Sequence, residues 1–108
     1  MAIGYQRQYY YTTGTKQSLG LDPSISPFTA QIAVTITGTV SYKLQWSLDP
    51  GDVADADALW FDSTEIPAAT SASKTSILTA PVSRIRLVID TATGATLALQ
   101  VQQGMSIN

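Results

Sequence analysis

The chain has 108 residues, a net charge of −2 and a pI near 4.6, with no cysteine, no histidine and charge on only 13% of its side chains. Lacking histidine and cysteine, it excludes Ser–His–Asp and Cys–His catalysis, the usual zinc sites and haem ligation by those residues. Its six basic residues, spread from Arg7 to Arg86, form no basic stripe, and no apolar run approaches the roughly 20 residues of a membrane span, so neither nucleic acid nor membrane is an expected partner.

Residues 1–27 read as an N-terminal arm or edge hairpin preceding a single β-sandwich domain over 28–108. The opening, Met1-Ala-Ile-Gly-Tyr-Gln-Arg7, has no hydrophobic signal core, so synthesis in the cytoplasm without Sec export is the expectation. Tyr9-Tyr10-Tyr11 reads as extended, Gly14 as a turn and Lys16 to Leu21 as a second short strand, before two prolines in Asp22-Pro23-Ser-Ile-Ser-Pro27 interrupt any ladder. An extended chain places the three tyrosines on both faces, which suits burial against a neighbouring subunit as well as ordinary packing.

A strong period of two follows. Ala30, Ile32, Val34 and Ile36 alternate with Gln31, Ala33, Thr35 and Thr37, and Tyr42, Leu44, Trp46 and Leu48 alternate with Ser41, Lys43, Gln45 and Ser47. That alternation marks strands with one dry face and one wet face, and Tyr42 and Trp46 are expected in the core. The glycine in Thr37-Gly38-Thr39 suggests a hairpin between the two strands.

Asp49-Pro50-Gly51-Asp52 is a turn, and Asp52 to Leu59 suits one helical turn with Asp52 as N-cap. Trp60-Phe61-Asp62 returns to strand, with the adjacent rings on opposite faces. Glu65 to Ser76 reads as a long polar loop and Ser76 to Ala80 as a short strand ended by Pro81. The closing hairpin pairs Arg84–Asp90 with Ala95–Gln102 across Thr91-Ala92-Thr93-Gly94. The expected class is an all-β, antiparallel sandwich or jelly roll, large enough at this length to bury roughly 65% of the unfolded surface.

The densest carboxylate group is Asp49, Asp52, Asp55, Asp57 and Asp62. The first four are weak candidate calcium ligands, since calcium collects six to eight oxygens but the spacing lacks the Gly and terminal Glu of an EF-hand loop. Solvated turns and N-caps are the favoured explanation, without a metal. No other metal or cofactor is expected. Glu65 is the only glutamate and most of the aspartates lie in turn-like sequence, so a facing acid–base pair is not expected either, and the chain reads as a non-enzyme. Thr, Ser and Gln supply 33 of its 108 residues, and a wet face built from these in place of charges suits contact with another protein or with itself.

From Val40 to Gln102 the motifs Val40-Ser-Tyr-Lys-Leu-Gln-Trp-Ser-Leu-Asp-Pro50, Ala58-Leu-Trp60-Phe61-Asp62, Pro81-Val-Ser-Arg84-Ile-Arg86-Leu and Thr96-Leu-Ala-Leu-Gln-Val101 resemble a group of small β-sandwich proteins encoded among the virion genes of tailed bacteriophages and prophages. The resemblance implies a structural component of the virion. With the surface composition, it suggests a capsid decoration or cement protein that bridges neighbouring capsomers. Its partners would be the major capsid protein and further copies of itself, in a cluster such as a trimer, on the capsid surface. Tyr9, Tyr10, Tyr11, Trp60 and Phe61 are the candidate interface residues. A carbohydrate-binding or adhesive module of a head or tail fibre, with Trp60 or Phe61 as stacking platform, and a tail or connector accessory are the other readings.

Overall fold

A computed structural model of the chain describes residues 5–23, 28–50 and 52–103. The turn residue Gly51 and most of the Asp22–Pro27 connection lie outside the described residues. Among those described there is no helix, and the fold is all-β and antiparallel, as the alternation predicts. Its strands are β1 (Tyr5–Tyr10), β2 (Gly14–Thr15), β3 (Leu19–Gly20), β4 (Ala30–Ser47), β5 (Phe61–Asp62), β6 (Lys74–Leu78) and β7 (Arg84–Gln103).

Two long strands are the frame. β4 and β7 pair antiparallel along their whole length, from Ala30 opposite Gln103 to Ser47 opposite Arg84. The N-terminal segment runs down the free side of β7 as β1, β2 and β3 in turn, and does not fold back as a hairpin. The segment from Phe61 to Leu78 runs down the free side of β4, through β5, a single bridge between Thr70 and Tyr42, and β6. The sheet therefore has four rows, with its outer rows broken into short pieces.

The hairpins expected at Gly38 and at Thr91–Gly94 do not form, because both glycines bend continuous strands. An 18-residue strand would reach about 60 Å if straight, whereas the longest extent of the molecule is 45 Å. The bend comes from two irregularities in the ladder. Thr37 faces Thr96 while Thr39 faces Thr93, so Gly38 stands opposite both Gly94 and Ala95; Ser41 faces Thr91 while Tyr42 faces Ile89, which leaves Asp90 as a second extra residue. Gly38 and Gly94 take φ of 90° and 54°, left-handed conformations that glycine adopts at least cost.

The two insertions cancel in parity. Ile85, Leu87 and Ile89 before the bend and Leu97, Leu99 and Val101 after it all point inward, where they meet Ile32, Val34, Tyr42 and Leu44 in one cluster. Each of these large aliphatic side chains contributes about 1.5–3 kcal/mol by leaving water. The sheet is thus folded over on itself, with both halves facing one core. Ile66 closes the core from the Glu65–Ser76 segment, which is less loop-like than its polar composition implies: Leu44 donates its N–H to the Ile66 carbonyl, and the Tyr42 hydroxyl donates to Ala72 O at 2.7 Å. Burial pushes the Tyr42 hydroxyl pKa up to about 12.

The inward pattern fails at the end of β4. Trp46 is only half-buried and Leu48, one residue past the strand, is 61% exposed, while Ser47 is fully buried on the other face. The cause is a loop laid over that other face, described next.

Candidate interaction surface

The outer face of the half built from the end of β4 and the start of β7 is covered by the chain itself. Arg84 stands beside Ser47 on this face and is 5% exposed. Its guanidinium donates to Val53 O at 2.6 Å, to Asp55 Oδ1 at 3.0 Å, and to the carbonyls of Pro50 and Asp49. Asp55 also accepts the Ser18 amide at 2.9 Å and the Ser18 hydroxyl at 2.7 Å, so one carboxylate ties the N-terminal segment, the 49–60 loop and β7 together. The single helical turn expected in this loop is present, with Ala58 N–H reaching Ala54 O at 3.1 Å.

These bonds account for two of the candidate calcium ligands. Asp49 accepts the Leu59 amide at 2.6 Å and contacts the Ser47 hydroxyl, and Asp55 is engaged by Ser18 and Arg84. Asp52 and Asp57 are exposed, and among the described residues no three acidic side chains gather to hold an ion. Asp62 pairs with Lys43 at 3.3 Å and accepts from Gln45 at 2.8 Å; Gln45 in turn accepts from Arg86 Nε at 2.8 Å.

Partial burial pushes the Asp55 carboxyl pKa up, but the Ser18 donors and Arg84 outweigh it and hold the group below its ordinary 3.8. The Gln45 hydrogen bond, opposed by desolvation and helped by Lys43, does the same for Asp62. Both groups therefore favour folding fully above about pH 3.8, and that contribution is lost as pH falls through the lower folded values. On acidification the 49–62 loop is expected to loosen first. Amide exchange between about pH 5 and about pH 2 should show Ser18 and Leu59 losing protection before the core amide of Leu44; simultaneous loss would refute this order.

Trp60 and Phe61 take opposite faces, as their adjacency predicts. The Trp60 ring lies over Arg86, 4.0 Å from guanidinium carbon to ring centroid, and its indole N–H donates to Asp55 O at 2.9 Å. Phe61 stacks on Trp46 with centroids 4.9 Å apart and stays 48% exposed. Trp60 thus presents one ring face to its own chain, and Phe61 keeps half its surface for solvent.

The outer face of the other half is bare. Cross-strand partners share a face, and the register sets three rows of residues there. Tyr5, Gln102, Gln31 and Ile77 form the first, Arg7, Gln100, Ala33 and Thr75 the second, and Tyr9, Ala98 and Thr35 the third. Of these eleven residues only Arg7 is charged. The Gln100 amide donates to the Tyr5 hydroxyl at 2.9 Å, and Arg7 lies 5.7 Å from the Tyr9 ring centroid. Among the described residues no loop covers this face in the way that residues 49–60 cover the other. Tyr10 points inward, half-buried against the core, and burial raises its hydroxyl pKa; Tyr11, past the strand, is 64% exposed.

Of Tyr9, Tyr10 and Tyr11, singled out in the sequence, only Tyr9 lies in these rows, and the sequence reading missed Tyr5, Gln31, Gln100 and Ile77. Alternation along one strand assigns them to a wet face without showing that four strands place them side by side.

The two sheet edges differ. Among the described residues β1 has only β7 as neighbour, so every second residue directs its N–H and C=O away from the sheet. On β6 the Ile77 amide, which points away from β4, is taken by Glu65 Oε1 at 3.2 Å, and Glu65 also holds the Ser76 hydroxyl. Beside β6 lies an open groove of ≈ 530 Å³ lined mainly by Trp46, Leu48, Ile77, Leu78, Pro81 and Val82, with Asp62 and Glu65 on its wall.

No family model matches the chain, and no curated protein matches it. Among solved structures, a chain from Bacillus endospore appendages, described as a novel family of disulfide-linked pili, is similar at a TM-score of 0.41 with 13% sequence identity, over 94% of this chain and 88% of that one. That likeness is too distant to define a shared fold.

Proposed function

We propose that this chain is a non-enzymatic structural protein of a bacteriophage head, a decoration or cement protein that lies against the capsid shell and bridges neighbouring capsomers. The observation that carries the reading is the bare outer face, eleven neighbouring residues with a single charge, on a molecule that covers its other outer face with its own loop. A face of Tyr, Gln, Thr, Ala and Ile with one Arg sets up little charge repulsion against a partner, and its amides and hydroxyls can be satisfied by hydrogen bonds across a contact. The resemblance of its motifs to virion β-sandwich proteins supports the capsid as the partner.

The face is about 14 Å across three strand spacings and about 13 Å along β1 from Tyr5 to Tyr9. That is far short of the roughly 800 Å² per partner of a stable stand-alone complex. A single copy would therefore hold weakly through this face alone, and tight attachment would come from engaging more than one neighbour on a repeating shell.

Co-sedimentation with undecorated capsids from the genome that encodes the chain tests the proposal. Binding is expected to saturate at a simple ratio of copies to major capsid subunits. Gln31→Glu combined with Thr35→Asp, both exposed on the bare face, should abolish binding and leave the melting temperature within a few degrees of the parent. Absent binding, or only a few copies per particle, would exclude decoration and favour a tail, fibre or connector part.

A further inference from the structure

The geometry points to a head-to-tail contact between copies of this chain, in which the β1 edge of one copy, with Arg7 and Tyr9, enters the groove beside β6 of the next. Three observations carry it. The two features belong to opposite ends of the row order, with β7 and β4 between them, so one copy offers both at once. They are complementary in polarity: the groove has exposed Leu48 and Ile77 and half-buried Trp46, while β1 offers Tyr5 at 53% and Tyr9 at 45% exposure.

They are also complementary in charge. Residues 5–21 hold two cations, Arg7 and Lys16, and no acid, whereas the groove is lined by Glu65 and by Asp62, the latter already paired with Lys43 at 3.3 Å, and by no lysine or arginine. Glu65 further decides the mode of contact. By occupying the outward Ile77 amide it blunts β6 as a pairing edge, so the incoming β1 is read through its side chains and the sheet is not simply extended.

Such a contact is heterologous, joining two different surfaces, and it repeats until a ring closes or a filament grows. The contact shares Arg7, Tyr9 and Ile77 with the face of the shell-binding reading, but self-association is measured without capsids, so its failure is distinguishable from the failure of that reading.

The test is sedimentation of the full chain over a concentration series, alone and as mixed variants. The parent chain is expected to form species larger than a dimer. Arg7→Glu spoils the edge and leaves the groove, Ile77→Glu spoils the groove and leaves the edge, and Leu48→Asp is a second groove variant at another exposed site. Each alone should associate at least about tenfold more weakly than the parent, the loss of a typical interface anchor, with an unchanged circular dichroism spectrum and melt. Arg7→Glu mixed with either groove variant should give dimers that grow no further, since one competent contact remains per pair. A parent chain that stays monomeric, an edge or groove variant that associates like the parent, or a mixture that stays monomeric would overturn the proposal. Saturable capsid binding by a monomeric parent would leave the decoration reading intact and remove this one alone.

Discussion

Replacing Gly38 with alanine is expected to destabilise the protein by about 2–4 kcal/mol, and so to lower its melting temperature by roughly 10–25 °C for a domain of this size. Two costs combine. The residue sits at φ 90°, and a Cβ there would stand 2.5 Å from the Gly94 carbonyl oxygen and 2.9 Å from the Ala95 Cα. Both obstacles are backbone, held by the bulge, so relief requires unbending β4 and β7 together. Gly94→Ala is the control: at φ 54° it pays the left-handed penalty of about 1–2 kcal/mol but meets nothing within 4 Å. A Gly38→Ala protein that melts no lower than Gly94→Ala would mean that the bend is not held by this close approach.

Replacing Arg84 with methionine is expected to cost about 3–5 kcal/mol, the usual penalty for removing one partner of a buried pair. Methionine keeps much of the apolar stem but offers no donor. The carbonyls of Asp49, Pro50 and Val53 lose their shared partner, and Asp55 loses its counter-charge. The effect should centre on the loop. The Ser18 and Leu59 amides, which donate to Asp55 and Asp49, should lose hydrogen-exchange protection, and Trp60 should lose its place over Arg86. Arg84→Lys is expected to recover little, because one ammonium cannot span carbonyls that the guanidinium reaches from both of its terminal nitrogens. Full protection of Ser18 and Leu59 in Arg84→Met would show that the loop is held by something other than this side chain.

The strands of the central pair were legible in the sequence, and their bend was half legible. Ile36 and Val40 keep the same parity across Gly38, and so do Ile89 and Leu97 across Thr91–Gly94. Glycine between two alternating runs signals both a hairpin and a bulge; what separates them is where the partner strand lies, which for β4 is more than 35 residues away. The same distance hid the bare face, since its rows unite residues 5, 31, 77 and 102. The reading of Leu48 as inward-facing failed because β4 ends at Ser47 and the 49–60 loop crosses to the opposite face. Nothing in the sequence singled out Arg84. Only the loop carbonyls gathered around it, backbone groups that carry no signature in side-chain sequence, make it a centre of the structure. The opposite orientations of Trp60 and Phe61 came through because they depend only on two adjacent residues in an extended chain.

The position of β7 has a consequence for how the molecule comes into being. Tyr5 finds its ladder partner 97 residues later at Gln102, and Ala30 finds one 73 residues later at Gln103. During synthesis β1 must therefore wait without a sheet neighbour, and β4 with only its β5 and β6 side, until residues 84–103 have left the ribosome. Folding is then a single late event in which one strand, inserted between two already made, closes both halves at once. Sequence separations this large make such closure slow, and until it happens the sparsely charged strands meant for a partner are open to one another.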